Sequence, residues 1–194
     1  MLNGGSMSKR NPENLTHLAV TVISKDRPGI VADTTEVLFN LGCNIEDSSC
    51  TMLGGDFAMI LIVSHLKPFT KARLSDEFRA LQERTGLVVH LRPLHEDEIF
   101  KATDKGELCL ISVYGSDQPG IVYKVTRALA DHNINITDLN TRLIGTKDEP
   151  VYVLMLEAIL PQGLSLQDTS DLLEPLSREL AVEIGVRAIT PVSL

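Results

Sequence analysis

Asp26-Arg27-Pro28-Gly29-Ile30-Val31 and Asp117-Gln118-Pro119-Gly120-Ile121-Val122 are one pattern, D-x-P-G-I-V, written twice at a spacing of 91 residues. The agreement runs on without a gap to Gly54 and Gly145. Thr35 and Leu38 fall on Thr126 and Leu129, and Asn44, Ile45 and Asp47 fall on Asn135, Ile136 and Asp138. Past the glycine the second copy carries extra residues, Thr146 to Pro150, before Tyr152, Leu154 and Leu156 take the places of Phe57, Met59 and Leu61. That insertion reads as a longer hairpin loop. A repeat of this length makes the 194 residues two small domains rather than one.

Each copy presents its elements in the same order. Leu18–Ile23 and Leu108–Tyr114 are short apolar runs that suit covered strands. The period then becomes helical, through Ile30, Val31, Thr34, Val37, Leu38 and Leu41 and through Ile121, Val122, Val125, Ala128, Leu129 and His132. Gly42 and Asn133 follow, two residue types at ease in the left-handed conformation that ends helices. Residues 45–53 and 136–144 are polar enough to sit at an edge or against a polar partner, whereas 57–64 and 151–157 are apolar enough to be central. A second helix is expected from a Thr70 cap through Leu74, Phe78 and Leu81 to Gly86, and its counterpart from a Ser165–Asp168 capping box. Pro175 should bend or shorten the latter. Strands at 87–91 and 182–189 complete βαββαβ twice, an α+β fold of two ferredoxin-like domains, with antiparallel sheets side by side in one continuous sheet and helices on one face. The expected domains are 15–94 and 107–194, with a polar, disordered leader at 1–14 and a charged linker at 95–106.

Composition narrows the function. A formal charge of −8 opposes a broad phosphate-binding surface, so direct contact with nucleic acid is not expected. Cys43, Cys50 and Cys109 have no C-x-x-C spacing and their odd number closes no disulfide framework, which suits a reducing cytoplasm. The longest apolar run, 57–63, is too short to span a bilayer, and neither export nor membrane insertion is expected. The five histidines are scattered without an H-x-x-x-H pair, and no Walker A, G-x-G-x-x-G or G-x-S-x-G motif occurs, so neither metal, cofactor nor catalytic residue is expected.

The D-x-P-G turns are the informative chemistry. Pro28 and Pro119 suit a first helical turn, Asp26 and Asp117 are placed to cap the NH groups that follow, and the NH groups of residues 29–31 suit a carboxylate. Gly29 and Gly120 are read as openings for a ligand more than as demands of the turn, so alanine there should cost binding and little stability. Asn44 and Asn135 carry amides able to hold an ammonium or amide group. The same residues also make a sound strand-to-helix turn and a strand start without any ligand.

Taken together, the repeated turn, helix and G-x-N-I or N-x-N-I strand start resemble the ACT domain family over nearly the whole chain. Two such domains with little else are similar to regulators of the glycine cleavage system transcriptional repressor group. The resemblance implies an amino-acid ligand, glycine or another, held near Asp26, Arg27, Pro28, Gly29, Ile30, Asn44 and Ile45, and near Asp117, Gln118, Pro119, Gly120, Ile121, Asn135 and Ile136. It implies a non-enzymatic regulator of amino-acid metabolism acting on a protein partner such as a transcription factor or metabolic enzyme, and it is compatible with a homodimer. Arg27 against Gln118 suggests that the first site is the tighter. The alternatives are a ligand-free assembly module and a regulatory piece detached from an enzyme. An ACT domain precedes the catalytic part of formyltetrahydrofolate deformylases, but the sequence leaves no length for a catalytic domain.

Overall fold

The computed structural model describes residues 15–69, 71–94, 98, 106–146 and 150–189. The leader at 1–14, the Thr70 cap and nearly all of the 95–106 linker lie outside the described residues. The chain divides into two compact units, Met1–Lys101 and Ala102–Leu194.

In the first unit β1 (Leu15–Lys25), α1 (Ile30–Asn40), β2 (Asn44–Leu53), β3 (Asp56–Phe69), α2 (Lys71–Thr85) and β4 (Val88–Pro93) follow the expected order. The second repeats it as β5 (Glu107–Gly115), α3 (Ile121–Asp131), β6 (Asn135–Gly145), β7 (Pro150–Leu160), α4 (Leu166–Leu180) and β8 (Val182–Ala188). All pairings are antiparallel. The ladders give two four-stranded sheets, β2-β3-β1-β4 in the first unit and β6-β7-β5-β8 in the second. The polar second strand of each copy is indeed an edge and the apolar third strand is central.

One face of each sheet takes alternate residues into a core shared with both of its helices. Leu18, Val20 and Val22 of β1 and Met59, Leu61 and Val63 of β3 meet Ile30 and Leu38 of α1 and Leu74, Phe78 and Leu81 of α2. In the second unit Cys109, Ile111 and Val113 with Leu154, Leu156 and Ala158 meet Ile121, Val125 and Leu129 of α3 and Leu173 of α4. The buried helical stripe is narrower than the apolar spacing suggests. Thr34 turns inward and satisfies its hydroxyl on the Ile30 carbonyl at 2.9 Å, while Val31 stays 47% exposed.

The helix ends follow their sequence signals. Gly42 (φ 73°) and Asn133 (φ 55°) are left-handed. The Gly42 NH donates to Phe39 and the Cys43 NH to Leu38, and Asn133 and Ile134 repeat this on Ala130 and Leu129. Both are Schellman closures, with two orphan carbonyls satisfied in each. Gly54 and Gly55 both have positive φ, as a two-residue type I′ hairpin requires. Pro175 does not shorten α4, which is 15 residues long, as α2 is. Asp171, whose carbonyl would otherwise take an NH from position 175, is exposed, so water can satisfy that oxygen.

α4 opens with a complete capping box. The Asp168 NH donates to Ser165 Oγ at 3.1 Å and the Ser165 NH donates to Asp168 Oδ2 at 2.9 Å. Hydrogen bonds from the Ser165 hydroxyl and backbone NH hold the Asp168 carboxyl below its ordinary value, so this support is full above the usual carboxylate range and fades as pH falls through the lowered one. Ser165→Ala should cost about 1 kcal/mol of stability, measured by urea denaturation at neutral pH. An unchanged midpoint would show that α4 is held by packing alone.

Candidate functional site

The strand-to-helix turn is built alike in both copies, and differently from the expectation. The helix cap is the glycine itself, Gly29 at φ 97°, ψ −8° and Gly120 at φ 102°, ψ −10°, and neither helix has a side-chain cap. Asp26 and Asp117 therefore do not cap, and Pro28 and Pro119 stand before the helix rather than in its first turn. Those angles belong to the third position of a type II turn, with proline at the second. The first intrahelical bonds run from the Asp33 NH to the Gly29 carbonyl at 2.8 Å and from the Lys124 NH to the Gly120 carbonyl at 2.9 Å. The NH groups before them have no acceptor within their own helix. A methyl on Gly29 would stand 3.4 Å from Arg27 Nη1, and one on Gly120 would meet nothing within 4 Å. Conformation, not space, makes glycine necessary here.

The side chains around the two turns diverge. Arg27 folds over the start of α1, donating to the Pro28 carbonyl at 3.0 Å and pairing with Asp33 at 2.7 Å. Its guanidinium thus already has an internal carboxylate. Gln118 instead donates to the Leu180 carbonyl at the end of α4. Where the first copy has Asp33, the second has Lys124, paired with Glu179.

The expected site residues do not gather in one place within a copy. Residues 26–30 sit beside the β2–β3 hairpin, where the Asp26 NH donates to the Gly55 carbonyl at 3.0 Å. Asn44 and Ile45 lie past the other end of α1, an 11-residue helix about 16 Å long. Residues 117–121 are separated from Asn135 and Ile136 by α3 in the same way. An amino acid is too short to touch both clusters of a single copy.

Concavities lie at the Asn ends. An open groove of about 610 Å³ runs between Ala32, Thr35 and Phe39 of α1 and Cys43, Asn44 and Ile45. Next to it, Gly42, Cys43, Asn44, Glu46, Ser64 and His65 line a pocket of about 440 Å³. In the second copy Asn133 and Asn135 face Ile159, Leu160 and Gln162 around about 290 Å³. Glu46, Ser64 and His65 were missed in the sequence because they belong to two strands. Only the strand register brings them together: Ser64 pairs with Asn44, the first residue of β2, and His65 follows it on β3. Burial pushes the Cys43 thiol up to about 11, so it is a neutral S–H and not a nucleophile. Among the described residues no three His, Cys, Asp or Glu side chains come together as a metal site needs, and no helix is long and apolar enough to cross a membrane.

Comparison with known proteins agrees with this architecture. Residues 16–92 and residues 110–163 each match an ACT domain model. The glycine cleavage system transcriptional repressor of Escherichia coli K12 is 27% identical over 143 residues, 69% of this chain and 68% of its own length. A UPF0237 protein of Methanopyrus kandleri is 39% identical over 84 residues, 43% of this chain and 91% of its own. A crystal structure from Galdieria sulphuraria superposes with a TM-score of 0.75 at 28% identity, covering 90% of this chain and 99% of that one. With the same turn, helix closure and strand order in both copies, the chain belongs to the ACT domain family as a tandem pair, similar to the glycine cleavage system transcriptional repressor group.

Proposed function

We propose that this protein senses a free amino acid and passes its state to a protein partner, without catalysing a reaction. The observation that carries this reading is the twofold turn at Gly29 and Gly120, which presents helix NH groups with no side-chain cap over them. Such a cluster suits a carboxylate. The similarity to a glycine cleavage repressor favours glycine, or an amino acid near it in metabolism, as the ligand and a regulator of that metabolism as the partner. The acidic chain favours a partner that supplies any DNA contact itself, in the cytoplasm.

The local charges rank the two turns in the reverse of the order suggested by Arg27. Asp33 places a carboxylate in the first turn of α1 and takes up the guanidinium, whereas α3 has no acidic residue in its first turn and has Lys124 there. The second copy's turn is the better carboxylate acceptor. Thermal shift of the full chain against the proteinogenic amino acids tests the reading. At least one should raise the melting temperature, with an increment that grows with the logarithm of its concentration. No shift with any of them would refute amino-acid sensing.

A specific observation also favours assembly. All ten residues of β2 are exposed on an edge strand, a template for pairing with another chain. Loss of every thermal response, with concentration-dependent self-association retained, would point to that role.

A further inference from the structure

β2 and β6 each carry one extra residue at the same place. The ladder slips between Ile45 and Asp47 in the first copy and between Ile136 and Asp138 in the second, which makes Glu46 and Thr137 bulge residues. A bulge takes its residue out of the strand's alternation and re-aims the side chain. The two copies keep this device and differ in what it aims.

Around Glu46 the first copy collects hydrogen-bonding groups. Asn44, Ser64 and His65 line the same pocket of about 440 Å³, and the Glu46 carboxylate lies 3.7 Å from His17 Nε2. In the second copy Leu108 pairs with Ile159 as His17 pairs with Ser64. Leu108, Ile159 and Leu160 therefore stand where His17, Ser64 and His65 stand, and Thr137 replaces Glu46. Every ionisable group of the first pocket becomes apolar or neutral in the second.

The chemistry of the first pocket selects a ligand. Among the described residues that line it, Glu46 is the one carboxylate and none is a lysine or arginine, and the neutral Cys43 thiol adds no charge. His17 brings a compensating charge only when protonated. An ammonium group has three N–H donors, and Glu46, the Asn44 carbonyl oxygen and the Ser64 hydroxyl are acceptors suited to it. A ligand's carboxylate would be repelled from the same place. A bare metal ion is a poorer fit, since the described residues form no three-ligand cluster.

We propose that the Glu46 pocket of the first copy binds the ammonium group of an amino acid, and that its Thr137 counterpart does not. The proposal rests on the amino-acid-sensing reading above and, because one amino acid cannot span α1 from the Gly29 turn to Glu46, it places ammonium recognition at a point of the first copy separate from the two turns. The test is calorimetry on the full chain, using as probe the amino acid that gives the largest thermal shift, and the N-acetyl form of that amino acid, which has no ammonium. Glu46→Gln keeps the shape on an exposed edge strand and should lower affinity at least about tenfold, the usual scale for a hydrogen bond to a charged group. Glu46→Thr, which installs the second copy's residue, should do the same, Thr137→Val should leave affinity unchanged, and the N-acetyl form should not bind. Unchanged affinity in both Glu46 variants, or equal binding of the N-acetyl form, would overturn this assignment and leave the sensing reading standing. Absence of any amino-acid binding by the unaltered chain would overturn both.

Discussion

Phe78→Ala should remove about 3–5 kcal/mol from the stability of the first copy, the largest single-residue effect in the chain. Phe78 is 1% exposed, at the middle of the buried stripe of α2, between Leu74 and Leu81. Its neighbours across the core are aliphatic, including Leu61 and Val63 of β3 and Leu38 of α1. Among the described residues no other aromatic ring is fully buried, and Phe39 is 80% exposed. A unit of roughly 80 residues holds a total stability of about 4–12 kcal/mol at ordinary values per residue, so the loss is a large share of it. Leu173, the matching residue of α4, is fully buried too, and its truncation should cost about 2–5 kcal/mol. Urea denaturation followed by circular dichroism reads both. A loss under about 1 kcal/mol for Phe78→Ala would mean that this core closes readily over the space left behind.

Most of this architecture was legible because its signals are local and written twice. Gly42 and Asn133 marked the helix ends, and Ser165 with Asp168 marked a helix start, each through its own backbone chemistry. The polar second strand against the apolar third distinguished edge from centre. What misled was the turn. Proline before glycine is compatible both with a first helical turn and with a type II turn ahead of the helix, and residue types alone do not separate the two. The aspartates were then credited with a capping role that the left-handed glycines make unnecessary. The candidate pocket was the least legible part. Asn44 was visible, but Glu46 gains its direction from a bulge, and Ser64 and His65 come from a strand some twenty residues away, so only the register brings them to it. Arg27, read as free for a ligand, is held by Asp33 six residues on, a partner the sequence displayed without showing its direction.

Gly29→Ala and Gly120→Ala should each cost about 1–3 kcal/mol, the strain of a side chain held in left-handed backbone. The two sites separate strain from steric conflict. At Gly120 a methyl meets nothing within 4 Å, so any loss there is conformational, while at Gly29 the added contact is the far end of Arg27 at 3.4 Å, a flexible group able to move. The φ values of 102° and 97° are nearly equal, so nearly equal losses should follow. This reverses the expectation that alanine would spare the fold, and it changes how binding data on these variants must be read. A weaker response to an amino acid in Gly120→Ala would report a displaced turn as readily as a blocked one. Asp117→Asn is the cleaner probe of the same turn, because Asp117 is exposed, makes no cap and can lose its charge without disturbing the backbone. It should leave the urea midpoint in place and, by removing a negative charge beside the NH cluster, hold a carboxylate at least as tightly. If Gly120→Ala instead matched the unaltered chain in urea midpoint, the left-handed turn would be a preference of glycine and not a requirement of the fold.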